Sequence, residues 1–222
     1  TSSLQASEDA AATSPVASPP ASGSTSTRLQ VTGNCLRLGQ QCLLTDDVLQ
    51  ELMKGDTKKA GNDEVANAVS CLLSVQFGHR FQSTSRQEHV RIRGQPPFHQ
   101  LQHGESQILF TGPSTFHCVL VIFGGLIYDP YGSYRSSKSP IWTTEPDGRY
   151  LREDLHHLTG LRVTDSSFLH GPTQDPKSVD CLYFCLMFKN RLGRSCDLAA
   201  AESFDVLSSS QLRLFFSRML AE

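Results

Sequence analysis

The sequence predicts an α+β fold with a papain-related layout, in which one buried helix carries a cysteine at its start and packs on a mixed β-sheet. Three observations point there. Two amphipathic helical stretches lie between residues 43 and 77, and short strand patterns follow between 90 and 129. Beyond them, from about Val179 to Leu192, runs a stretch of helical length that is apolar nearly all round, as a helix buried on every side must be.

Residues 1–28 are mostly Ser, Ala, Thr and Pro. They carry too little apolar surface to offset chain entropy and are expected to be a disordered tail or linker. A single domain is expected over 29–222, a length that supports its own core. Leu29, Val31, Leu36 and Leu38 suggest one or two short strands. In Leu43-Leu44-Thr45-Asp46-Asp47-Val48-Leu49, Thr45 is a fitting N-cap with acids in the first turn, and Gly55 is a fitting stop. A second helix is expected from about Asp63 to Phe77, with Val65, Ala68, Val69, Leu72 and Leu73 on one face.

Val90 and Ile92 alternate with Arg91 and Arg93 as a half-buried strand does, and Ile108–Phe110 is a further short strand. His117–Phe123 reads as a fully apolar strand, Gly124-Gly125 as its turn, and Leu126–Asp129 as the returning strand. Residues 133–148 are expected as loop around the only tryptophan, Trp142. Tyr150–Leu158 looks helical and Leu161–Leu169 strand-like. The central helix is expected to stop at Gly193. Ser208–Leu220 closes the chain as a helix whose Leu212, Phe215, Phe216 and Met219 face the core.

A net charge of −2 gives no sign of a nucleic-acid-coating surface. The seven cysteines are odd in number, show no Cys-x-x-Cys spacing, and several lie in apolar runs. That usage points to thiols kept reduced, in nucleus, cytoplasm or a virion assembled there. No apolar run reaches membrane-spanning length.

Four residues suggest chemistry. Cys181 opens the apolar helix, where the helix dipole favours thiolate. Gln174, seven residues earlier in a Pro-punctuated loop, offers an amide donor. His117 and Asp129 stand on neighbouring strands. Together they supply a nucleophile, an oxyanion donor, a base and its orienter. Singly, each has an ordinary structural reading: a core histidine, a turn-starting Asp-Pro, a solvated glutamine, a core cysteine. Cys185 is taken as core. Cys181 and Cys185 with His117 or His170 would be an alternative zinc set, although zinc sites usually show tighter cysteine pairs. Asp180 is expected as a solvated carboxylate that raises the neighbouring thiol, outweighed by helix dipole and imidazolium.

The order His117, Asp129, Gln174, Cys181 resembles the adenain and SUMO-protease clan of cysteine proteases. Thr173-Gln174-Asp175-Pro176 with Phe184-Cys185-Leu186-Met187-Phe188 is most similar to the adenain family of adenovirus maturation proteases, as is Tyr128-Asp129-Pro130-Tyr131-Gly132. Asp180-Cys181 and the Leu44-Thr45-Asp46 helix opening are similar to the SUMO-protease branch. The resemblance implies a thiol protease with His117, Asp129, Gln174 and Cys181 catalytic and no cofactor or metal, expected to act as a monomer. It implies cleavage after glycine, with the adenain-like helix favouring viral precursor proteins and a maturation endopeptidase, and an isopeptidase acting on ubiquitin-like modifiers as the alternative. Cys118 stands where this clan usually has Trp, and Leu182 where it usually has Gly. These departures motivate a third reading, a non-catalytic protease-like binding module. Geometry adds one requirement. A two-residue turn at Gly124-Gly125 would put His117 on the face opposite Asp129, so a three-residue loop with a bulge, or a His117 ahead of the ladder, is expected. Nδ1 of His117 is expected on Asp129 and Nε2 on Cys181.

Overall fold

The computed structural model describes residues 29–32, 35–38, 41–58, 61–77, 85–86, 101–103, 105–110, 117–132, 152–153, 155–156 and 159–221. The expected tail over 1–28, the strand at Val90 and Ile92, and Trp142 lie outside them. The architecture is α+β. An antiparallel three-stranded sheet comes first: β1 (Leu29–Thr32), β2 (Cys35–Leu38) and β3 (Gln41–Thr45). Then come helices α1 (Asp46–Met53) and α2 (Asp63–Phe77). A second sheet has the order β4 (Ser85–Arg86), β5 (Ser106–Phe110), β6 (Cys118–Ile122), β7 (Leu126–Tyr128). It is mixed, with β4 parallel to β5 and the other pairs antiparallel. The chain ends with α3 (Cys181–Ser195), α4 (Leu198–Ala201) and α5 (Ser209–Ala221).

The helix starts follow local chemistry. Thr45 precedes α1 in extended backbone, with Asp46 and Asp47 in the first turn. Asn62 opens α2 by accepting the Val65 N–H at 2.9 Å. Asp197 caps α4 by accepting from Ala199, in a stretch with too few periodic residues to read as a helix.

Both faces of the second sheet are buried, which is why β6 reads as an unbroken apolar run. Cys118, Leu120 and Ile122 pack with α3, whereas Val119 and Val121 pack with Leu101, Leu155 and Phe168 on the other side. From Cys181 to Asn190 every residue of α3 is buried. Leu212, Phe216 and Leu220 of α5 close the core beside it, with Phe215 and Met219 packed at the edge.

Two expectations are corrected. Gly193 does not stop the central helix. A Cβ there would lie 2.4 Å from the Phe77 ring, so this glycine lets α3 and α2 approach. The helix runs on to Ser195 and ends at Cys196 in the left-handed conformation, φ 52°. The strand expected at Leu161–Leu169 is a 3₁₀ turn, Asp165–Ser167, and a single bridge from Phe168 to Ile127. Thr164 and Ser167 form a capping box there, so hydroxyls take the hydrogen bonds a ladder would have used.

Candidate active site

The hairpin decides which side chains meet. Ile122 pairs with Leu126 and Leu120 with Tyr128, leaving Phe123, Gly124 and Gly125 as a three-residue loop. Gly124 and Gly125 both have positive φ, 90° and 79°. Counted back from the turn, this register sets Val119 opposite Asp129, and β6 begins only at Cys118, so His117 stands ahead of the ladder. His117 Nε2 lies 2.9 Å from Asp129 Oδ1, and both side chains are buried. The expected ring orientation is thereby reversed. With Nε2 on the carboxylate, Nδ1 is the nitrogen left for the thiol.

Asp129 is held in its own right. Its Oδ1 also accepts the Tyr131 N–H at 2.9 Å, and its carbonyl accepts Gly132 N–H at 3.0 Å. This is the turn that Asp-Pro-aromatic-Gly builds, with Gly132 at φ 97°. The turn also lays the Tyr131 ring on the His117 imidazole, centroids 4.3 Å apart and planes 19° from parallel. The Gln174 amide is near enough to the Tyr131 hydroxyl to favour its ionised form, although burial keeps that hydroxyl's pKa raised. The sequence held a signal for Tyr131, its place two residues after Asp129, but the motif alone gave it no role.

Gln174 is brought in by backbone. Its N–H bonds the Pro130 carbonyl at 2.8 Å, and the Tyr128 hydroxyl donates to the Pro172 carbonyl at 2.5 Å, fastening the loop to the end of β7. The Gln174 side chain is buried; its Nε2 makes a long contact of 3.5 Å to the Ser178 carbonyl, and its Oε1 has no partner among the described residues. An amide held this loosely can turn toward a developing charge.

Cys181 is the first residue of α3 and is 5% exposed. The His117 imidazole and the Cys118 thiol are near enough to shift its titration. The Cys118 thiol and burial push the Cys181 thiol well up, and His117 pulls it down. Burial pulls the His117 imidazolium down, but the Asp129 hydrogen bond, the nearby Cys181 thiol and the charges of both outweigh this and hold it up at about 9. The two groups titrate together. Asp129 beside the ring and Tyr131 over its face favour the imidazolium, while Cys118 and burial oppose thiolate at Cys181.

Asp180 differs from expectation. It is not solvated but buried, and it pairs with Arg213 of α5, Nη1 to Oδ1 at 2.5 Å. Ser209 at the start of α5 donates to its other oxygen. The Arg213 guanidinium lies 4.5 Å over the Tyr183 ring. So held, the Asp180 carboxylate makes no cap to α3, and its charge is neutralised from behind. Arg213 has no sequence signal: it is a lone basic residue on an apolar helix face.

Leu182, in place of the clan's glycine, is fully buried at the first turn of α3, and Gly61 makes room for it: a Cβ on Gly61 would fall 2.3 Å from Leu182 Cδ2. Cys118, in place of the clan's Trp, is buried against α3. Its carbonyl lies 3.7 Å from Cys185 Sγ.

No family model matches the chain, and no curated protein matches it. Among solved structures it is similar in shape to the SUMO protease Ulp1 with the catalytic cysteine oxidized to a sulfenic acid. The identity is 13%, the match covers 79% of this chain and 92% of that one, and the TM-score is 0.43.

Proposed function

We propose that the protein is a thiol peptidase that cleaves after glycine, with Cys181 as nucleophile. The observation that carries this reading is the 2.9 Å bond from His117 Nε2 to Asp129 Oδ1, with the Cys181 thiol at the start of α3 near enough to shift the ring's titration. A carboxylate, an imidazole and a sulfur in series at a helix N-terminus match the arrangement that activates a cysteine.

In this mechanism the Cys181 thiolate attacks the substrate carbonyl carbon. The oxyanion is met by the α3 N-terminus and Gln174 Nε2. His117, held as imidazolium by Asp129, gives its proton to the leaving amine. Water, activated by the now neutral imidazole, then hydrolyses the thioester and restores the thiol. The preference for glycine rests on the sequence motifs and on burial. With Cys181 5% and His117 2% exposed, a carbonyl must come within about 3–3.5 Å of sulfur in a site with little room, which favours a residue without a side chain. Leu182 and Cys118 are both packed without displacing His117 from Asp129, which favours the enzyme over the binding module.

The test is a panel of electrophilic probes: ubiquitin and SUMO ending in reactive Gly-Gly, and a short peptide ending in reactive glycine. The expected result is covalent labelling of the wild type that disappears in Cys181→Ala. Labelling by the peptide alone indicates a maturation endopeptidase, and labelling by a modifier indicates an isopeptidase. No labelling by any probe returns the chain to the binding-module reading.

A further inference from the structure

Two turns beyond the thiol, on the same helix, is a buried charge the reaction does not use. Lys189 is 7% exposed. Its Nζ makes one hydrogen bond, 3.3 Å to the Ser106 carbonyl, and no carboxylate among the described residues pairs with it. An ammonium has three donors, and a buried one is normally paired. Lys189 lines a cavity of about 290 Å³ whose other walls are mainly apolar, among them Leu73, Phe77, Ile122 and Leu198. Phe123 lines it too and is 42% exposed, its ring edge-on to His103 at 5.7 Å. That volume is just under the roughly 300–1,000 Å³ of small-molecule sites.

We infer that this cavity is a binding site for a small amphipathic carboxylate, its head on Lys189 and its apolar tail against Phe77, Phe123 and Leu198. The charge sets the head group and the lining sets the tail. The groups facing Lys189 do not supply the missing anion. Cys71, on α2, is pushed up by burial and stays a neutral thiol; His103 and Cys196 are at the cavity wall. Glu105 also lines the cavity, but its Oε2 accepts the Gln102 N–H at 2.8 Å and it forms no ion pair with Lys189. Burial holds the Lys189 ammonium down at about 8, so it is charged at neutral pH and a bound carboxylate would hold it so.

The experiment is calorimetric titration of the whole protein at pH 7 with sodium octanoate, and with octan-1-ol as the uncharged control. Octanoate is expected to bind at least tenfold more tightly than the alcohol, and Lys189→Met to remove the preference. The same titration of the wild type at a series of pH values needs no variant: octanoate affinity is expected to fall about tenfold per pH unit once Lys189 deprotonates. Absence of octanoate binding, equal binding of the alcohol, undiminished binding by Lys189→Met, or an affinity flat from pH 7 to 10 would each overturn the inference. None of these readouts depends on peptidase activity.

Discussion

The start of α3 and its second half treat buried charge in opposite ways. At its start, Asp180 is met by Arg213 and Ser209, and Asp129 by His117 and a backbone amide. Eight residues on from Cys181, Lys189 has one long hydrogen bond and no carboxylate paired with it among the described residues. Burial costs both regions alike, because either ion leaves water. The first region offsets that cost within the chain and gains fixed geometry. The second leaves it uncompensated beside a cavity. A paired charge holds a neighbour in place, whereas an unpaired one stands ready for something from outside.

If pairing is what organises the first region, breaking it should be costly in a graded way. The largest effect is expected from Asp129→Asn. The amide cannot stabilise imidazolium, and turnover should fall roughly 10³–10⁴-fold. Because Asp129 helps hold the imidazolium up to about 9, the alkaline limb of the pH–rate profile should also move to lower pH in the variant. Steady-state rates across pH check both; an unmoved limb would separate Asp129 from the ring.

Arg213→Met comes next. It leaves the Asp180 carboxylate buried without its partner, and the expected loss is about 3–5 kcal/mol of folding stability by denaturant titration. Adding Asp180→Asn should recover most of it, since the unpaired charge and not the missing side chain carries the penalty. A double variant no more stable than the single one would show that Arg213 acts by packing on Tyr183.

Gln174→Ala should be milder, roughly a hundredfold lower turnover with little change in stability, because the loop is fastened by the Gln174 N–H and the Tyr128 hydroxyl, which the substitution leaves alone. An unchanged rate would remove the amide from the site.

The same contrast explains what could be read from the sequence. The elements of the first region carry local signals: Thr45 before α1, the Asp-Pro-Tyr-Gly turn, the apolar run of α3, and the three-residue loop that alone sets His117 beside Asp129. The four candidate site residues were legible as candidates, from order and spacing along the chain, and the structure pairs two of them, His117 and Asp129. Arg213 and Tyr131 were not. Arg213 reaches Asp180 across 33 positions, and nothing nearby in sequence requires a partner there. Gly193 misled for a related reason: a glycine near a helix end reads as a stop, and only the Phe77 ring packed against it shows another role. Lys189 carries no signal of its own inside a run that is apolar nearly all round.

The smallest expected effect belongs to Lys189 itself and tests the second region without any ligand. Its ammonium is held down at about 8 when folded and titrates near 10.5 as a free side chain. Between those values the unfolded chain binds more protons than the folded one, so stability should rise with pH through that window. The penalty is fully present below about 8 and is relieved as pH approaches about 10.5. Lys189→Met removes the penalised charge and keeps an apolar stem of similar reach. It should therefore stabilise the protein at pH 7 by roughly 1–3 kcal/mol and flatten the rise above pH 8. Denaturant midpoints of the two proteins at pH 7, 8.5 and 10 measure this. Other groups titrate in the same range, so the difference between the proteins isolates Lys189. A gain at pH 7 that shrinks toward pH 10 identifies an uncompensated cation. A loss at pH 7 would mean that the ammonium holds the second half of α3 to β5 as firmly as Arg213 holds its start, and the contrast between the two regions would dissolve.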